Sequence, residues 1–210
     1  MGKLRNDKGC NMTNPDYTAL LFIIDESGSM WGIAKDLEGG VATLLEEQSK
    51  LPGKLTVDAS YFDDAFRYPT SMVAAAEAQI KIEPKGTTAL HDAIVRGTTE
   101  FGAKLAALPE DERPGTVMVV VVTDGHENSS RESTQADVKA VITQQQETYG
   151  WEFVFLGANQ DAVLAGEAFG LRKGASLTYT ANAAGVQNAS TLLSNYVGTT
   201  RSGAVASFNV

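Results

Sequence analysis

Two segments constrain this chain more than anything else in it. Ala19 to Ile24 and Val117 to Val122 are continuously apolar and strand-length, and each stops abruptly, the first at Asp25 and the second at Thr123-Asp124-Gly125. A strand without polar alternation must be covered on both faces, as in a parallel sheet flanked by helices. The segments between such runs supply those helices. Ile33, Leu37, Val41, Leu44 and Leu45 recur at helical spacing until Pro52-Gly53, and Leu90, Ile94, Phe101 and Leu105 do so before Pro109. Gly39-Gly40 lies off the first stripe. Thr134 followed by Asp137 has the pattern of a capping box, opening a helix that carries Val138, Val141 and Ile142. Strands alternating with helices give the fold class: α/β, Rossmann-like and doubly wound, with a mostly parallel central sheet and helices on both faces.

One hairpin interrupts the parallel pattern. Leu55, Val57, Ala59 and Tyr61 alternate with Thr56, Asp58 and Ser60, which predicts a strand with one less buried face. Asp63-Asp64 turns it into a short partner near Phe66 to Tyr68, the expected antiparallel edge strand. Trp151 to Leu156 is the next strand. After Gly157 the composition shifts toward Ala, Gly, Asn, Ser and Thr. That region predicts a short helix from Asp161 to Phe169, a strand from Ser176 to Thr180 and a last helix from Ala183 to Tyr196. A single domain over 16–198 results, with 1–15 expected to be a flexible tail and 199–210 a tail or edge segment.

Composition narrows the function. The 210 residues are 43% hydrophobic and 20% charged, the balance of a globular domain able to bury a core, not of a disordered chain. The net charge of −9, with Lys and Arg scattered, argues against nucleic acid and anionic membrane as partners. Cys10 is the only cysteine, which excludes an internal disulfide and a multi-cysteine zinc site, and points to a reducing, cytoplasmic compartment. No apolar run approaches the roughly 20 residues that span a bilayer. The first residues carry Lys3, Arg5 and Lys8 without an apolar stretch behind them, so they do not read as a secretory signal, and Met12 is a second candidate start.

In an open α/β sheet, ligands sit at the carboxyl ends of the strands. Two such ends carry acids and hydroxyls, Asp25-Glu26-Ser27-Gly28-Ser29 and Thr123-Asp124-Gly125, and between them Gly86-Thr87-Thr88 leads into a helix. Alone, each piece has an ordinary reading as an Asx-turn, a helix cap or a turn dipeptide. Together and in this order they resemble the von Willebrand factor A (vWA) family and its metal-ion-dependent adhesion site. The resemblance runs from about Thr18 to Leu156 and includes Gly28, Met30 and Gly32; Gly157-Ala158-Asn159-Gln160-Asp161 and the Ala-rich end resemble small phage or prophage-encoded members.

The resemblance implies a metal site formed by Asp25, Ser27, Ser29, Thr88 and Asp124. Its serine hydroxyls would coordinate directly, Asp25 would act through water, Thr88 would coordinate in the ligand-bound state, and Asp124 would act directly or from the outer shell. Thr87 is the alternative register to Thr88. The donor set independently suits Mg²⁺, a hard cation that takes oxygen ligands and keeps several waters, with Mn²⁺ or Ca²⁺ as substitutes. Only two carboxylates face the ion, so it stays electrophilic toward an Asp or Glu offered by a protein partner. Gly28 is expected to let the loop turn tightly, so that both serines aim at one point.

The leading expectation is therefore a non-enzymatic, Mg²⁺-dependent protein-binding module. A Mg²⁺-dependent phosphohydrolase with Asp25 as nucleophile is the alternative. It fits less well, because haloacid dehalogenase-type enzymes carry a second Asp where this chain has Ser27, and no phosphate-neutralising Lys can be placed. Neither G-x-G-x-x-G nor G-x-x-x-x-G-K-[ST] is present, which leaves nucleotide binding without a loop. A metal-independent assembly subunit is the third reading. Around the site, Glu26 reads as a solvated loop residue, His91 as surface or packing, and His126, Glu127 and Asn128 as a solvated loop on the ligand face. Trp31 is either packing for the first helix or an exposed aromatic anchor.

Overall fold

The computed structural model describes residues 13–159 and 161–208. The expected tail 1–15 falls largely outside them, as do Cys10 and Met12. Six strands form one sheet in the order β3-β2-β1-β4-β5-β6: β1 Asn14–Asp25, β2 Lys54–Phe62, β3 Phe66–Ala74, β4 Pro114–Thr123, β5 Glu152–Ala158 and β6 Ser176–Tyr179. Among the described residues only the β2–β3 pair is antiparallel. The helices are α1 Ala34–Ser49, α2 Leu90–Ala106, α3 Gln135–Tyr149, α4 Ala162–Ala168 and α5 Ala183–Arg201. The mostly parallel, doubly wound sheet with one antiparallel edge is thus the observed architecture. Among the described residues no helix is long and apolar enough to cross a membrane.

Both central strands bury both faces, as their unbroken apolar runs require. Leu20, Phe22 and Ile24 of β1 and Met118, Val120 and Val122 of β4 join the cluster under α1 and α5. Ala19, Leu21 and Ile23, with Val117, Val119 and Val121, join the cluster under α2, α3 and α4. Each fully buried side chain of this size contributes about 1.5–3 kcal/mol. The chain winds outward from β1 to β2 and β3, then returns to place β4 on the other side of β1. The order therefore reverses between β1 and β4, and their carboxyl ends open the crevice where ligands bind in such sheets.

The hairpin differs from its expected form. β2 has no exposed face beyond Lys54: Thr56, Asp58 and Ser60 are as buried as their apolar neighbours. β3 runs to Ala74 and not only to Tyr68, so its backbone and side chains cover this edge. The Tyr68 hydroxyl (3.1 Å) and the Met72 N–H (2.9 Å) both donate to the Asp58 carboxylate, which satisfies the acid inside the sheet. The alternation predicts a less buried face, but it marks buried polar residues that have partners.

The Thr134–Asp137 capping box is present, with both reciprocal bonds made. α5 continues past Tyr196 to Arg201, whose guanidinium donates to the Gln48 carbonyl (2.6 Å) at the end of α1. Phe208 is buried beyond it, and its N–H donates to the Gly174 carbonyl (2.8 Å). At the start of α5 the Asn182 side chain caps Gly185 N–H (2.8 Å). A Cβ on Gly185 would lie 2.1 Å from the Thr180 carbonyl oxygen, a backbone atom that cannot move aside. Gly185→Ala is therefore expected to cost about 1–3 kcal/mol, the range for overpacking, measured by urea denaturation. An unchanged midpoint would contradict this backbone approach.

Candidate metal site

The site is assembled where β1 and β4 end. Asp25 is the last residue of β1 and fully buried. One of its carboxylate oxygens accepts from the Ser27 N–H (2.6 Å), and the other accepts from the Thr123 hydroxyl (2.5 Å). The loop then enters the 3-10 turn Gly28–Gly32, which Met30 anchors in the core. Ser27 and Ser29 hydroxyls stand 3.0 Å apart, and the Ser29 hydroxyl donates to Asp124 Oδ1 at 2.6 Å. Thr88 completes the group from the loop before α2. It is buried whereas Thr87 is exposed, which favours the Thr88 register. A Cβ added to Gly125 would meet Thr88 Oγ1 at 3.1 Å and Ser29 Oγ at 3.8 Å, so residue 125 borders the same small space. All five residues read from the sequence thus converge.

An octahedral Mg²⁺ with Mg–O distances of about 2.1 Å has neighbouring ligand oxygens about 3 Å apart, and the two serine hydroxyls have that separation. Burial pushes the Asp25 carboxyl above the ordinary aspartate range; hydrogen bonds from Thr123 and Ser27 pull it back, and the charge of Asp124 raises it again. Burial likewise raises Asp124, against the Ser29 hydrogen bond. A buried carboxylate and a half-buried one that raises it favour a cation nearby. Among the described residues no group of three or more His, Cys, Asp or Glu is placed to hold a metal, so the oxygen donors here are two carboxylates together with hydroxyls. The residues fit a hard, oxygen-seeking divalent ion.

Several supporting groups lie outside the sequence motif or differ from their expected state. Thr123 belongs to the Thr-Asp-Gly run, yet its task of orienting Asp25 shows only in the structure. Glu26 is not solvated: it is 2% exposed and its carboxylate accepts from Arg67 Nε (2.9 Å), Arg67 Nη2 (2.5 Å) and the Glu83 N–H (2.7 Å). Glu127 and Asn128 are not a free loop either. Asn128 exchanges two bonds with Thr88, its side chain accepting from Thr88 N–H (3.0 Å) and its own N–H donating to Thr88 carbonyl (3.1 Å). Glu127 accepts from the His91, Ser129 and Ser130 N–H groups and the Ser130 hydroxyl. Burial alone would raise its carboxyl, but these bonds hold it below the usual glutamate range. His126 is exposed. His91 packs edge-on against Phe169, in keeping with a packing role.

Two glycines differ from their expected parts. Gly28 has no left-handed backbone, and a Cβ there would make ordinary contact with the Gly86 carbonyl at 3.7 Å, so the serine geometry does not depend on glycine at 28. The demand falls on Gly86, which has φ +64° and would drive a Cβ to 2.4 Å from Asp64 Oδ1. Trp31 is 74% exposed beside the serines, which removes the packing alternative for it.

This topology has solved counterparts. A von Willebrand factor type A protein from Catenulispora acidiphila superposes with TM-score 0.60 at 17% identity, over 85% of this chain and 42% of that one. The chain has the vWA fold. Proximal thread matrix protein 1 from the mussel byssus, with a zinc-occupied MIDAS motif, matches with TM-score 0.62 at 12% identity over 86% of this chain and 46% of that protein. The pilus adhesin SpaC from Lactobacillus rhamnosus GG, in an open conformation, matches with TM-score 0.61 at 14% identity over 85% of this chain and 29% of that one. The present vWA fold thus spans less than half the length of these three chains. No family model and no curated protein matches the sequence.

Proposed function

We propose that this protein is a Mg²⁺-dependent protein-binding module that captures an Asp or Glu of a partner at the ion held by Asp25, Ser27, Ser29, Thr88 and Asp124. The observation that carries the reading is the gathering of the buried Asp25, the half-buried Asp124 and three hydroxyls where the strand order reverses, with the Ser27 and Ser29 oxygens 3.0 Å apart. Bound there, Mg²⁺ supplies a positive, electrophilic point on an otherwise acidic surface. The residues of the chain do the positioning. Ser27 N–H and Thr123 hold the Asp25 carboxylate, Asn128 holds the Thr88 backbone, and Ser29 turns toward Asp124. Trp31 stands exposed next to Ser29 and offers the partner an aromatic contact of the kind that anchors interfaces.

A zinc-occupied MIDAS motif in one structural neighbour and the adhesin nature of another support a module of this kind. The phosphohydrolase alternative is disfavoured by Asp25 itself, which is buried with a hydrogen bond on each carboxylate oxygen and so is poorly disposed to attack phosphorus. The reading includes a cytoplasmic setting, resting on the single cysteine, and a phage or prophage source, resting on the resemblance of the segment at 157–161. The test is capture of proteins from source-cell lysate on immobilised protein with Mg²⁺ and with EDTA. The expected result is a specific partner retained only with Mg²⁺ and eluted by chelator. Identical capture in both conditions would replace the adhesion reading with the metal-independent assembly one.

A further inference from the structure

One more polar group is buried on the far edge strand of the sheet, in the same cluster that the serine loop joins through Met30. Tyr179 ends β6; it is 7% exposed, and its buried hydroxyl has no hydrogen-bond partner among the described residues. Leaving such a group unsatisfied forfeits its hydration without replacing it, so a native fold that retains it calls for an explanation. The side chain lies on the same face as Leu177 and belongs to the apolar cluster that includes Met30 of the serine loop.

The strand register shows what separates the hydroxyl from the carboxylates. β6 lies two strands from β4, a lateral distance of about 9–10 Å. Tyr179 pairs with Ala158, and Gly157 pairs with Thr123, so the strand end between β6 and β4 carries only the small residues Gly157 and Ala158. Burial holds the phenol far above its ordinary range, and the charges of Asp124 and Asp25 add to the effect. The group is therefore a permanent donor. It bonds to neither carboxylate directly, yet both lie within electrostatic reach of it.

We propose that Tyr179 is a positioning residue of the metal site, its O–H donating a hydrogen bond into the hydration shell of the ion held by Asp25 and Asp124. The assignment rests on the metal-binding reading above. It accounts for a hydroxyl, where a phenylalanine would fill the same apolar pocket without a stranded donor. Groups that order an ion's outer shell typically change its affinity 10- to 100-fold.

The experiment is Mg²⁺ titration calorimetry on the wild type and Tyr179→Phe, paired with thermal melting with and without Mg²⁺. The expected result is an affinity about tenfold weaker, with a metal-free melting temperature equal to or above that of the wild type, because the lost hydroxyl had no protein partner. Equal Mg²⁺ affinities would overturn the role of Tyr179 and leave the metal site standing. A fall in the metal-free melting temperature would make Tyr179 a packing residue and also overturn it. A wild type that binds no Mg²⁺ would sink the metal site, and this proposal with it.

Discussion

Asp25→Asn should remove Mg²⁺ binding while leaving the metal-free protein at least as stable as the wild type. The variant keeps the side-chain volume; its amide oxygen can still accept from Ser27 N–H, and its NH2 can donate to the Thr123 hydroxyl, whose own proton can turn to the Gly125 carbonyl (3.2 Å). It removes a charge that is costly in the empty site, because burial and the neighbouring Asp124 both disfavour it. The direction of the pH effect follows. A carboxyl whose folded pKa lies above its unfolded one binds a proton in the folded state first, so its contribution to stability grows as pH falls through the folded pKa and is unfavourable at neutral pH. Asp25→Asn should remove that dependence from the metal-free protein. With Mg²⁺ the order reverses: ligand at a hundredfold excess over Kd stabilises by about 2.7 kcal/mol, and only the wild type should gain it, less so in acid, where protons compete for the same oxygens. Melting curves from pH 5 to 8, with Mg²⁺ and with EDTA, measure both effects. A variant that still gained stability from Mg²⁺ would remove Asp25 from the site.

Arg67→Ala should be the most destabilising change outside the core. Arg67 reaches from β3 to the buried Glu26, donating through Nε and Nη2, and also donates to the Lys81 carbonyl (3.2 Å). Glu26 accepts from Glu83 N–H, and its own carbonyl accepts from Lys85 N–H (2.6 Å). The pair therefore ties the serine loop to the segment that leads into Gly86-Thr87-Thr88. Removing the cation leaves a carboxylate desolvated with no counter-charge, which costs about 3 kcal/mol or more, or roughly 10 °C in a domain of this size. Glu26→Gln combined with Arg67→Ala should recover part of that loss, because the stranded charge is gone. Denaturant titration of the two single variants and the double variant gives the coupling. Additive losses would show that the two side chains act independently.

The parts of the molecule that were legible in the sequence share one property: their physics is local. Unbroken apolar runs at Ala19 to Ile24 and Val117 to Val122 require two covered faces, and the acids and hydroxyls that end them stand at strand ends whatever the remaining contacts are. The Thr134–Asp137 box closes within one helical turn. The alternation in β2 misled because periodicity reports polarity, not exposure, and Asp58 finds its partners on β3.

What escaped was set by partners distant in sequence. Thr123 meets Asp25 across 98 residues, Arg67 meets Glu26 across 41, and Asn128 meets Thr88 across 40. By itself, then, the sequence determined the α/β class, the order of most strands and helices, and the placing of Asp25 and Asp124 where apolar strands end, because period and strand ends are properties of a few consecutive residues; Ser27, Ser29 and Thr88 came from the resemblance to the vWA family. Only the tertiary structure decided that Thr88 and not Thr87 turns inward, that Glu26 is a strut, that Trp31 faces solvent and that the Tyr179 hydroxyl is buried without a hydrogen-bond partner among the described residues. Burial and hydrogen-bond partnership are relations between segments, and they exist only once the sheet order has brought those segments together.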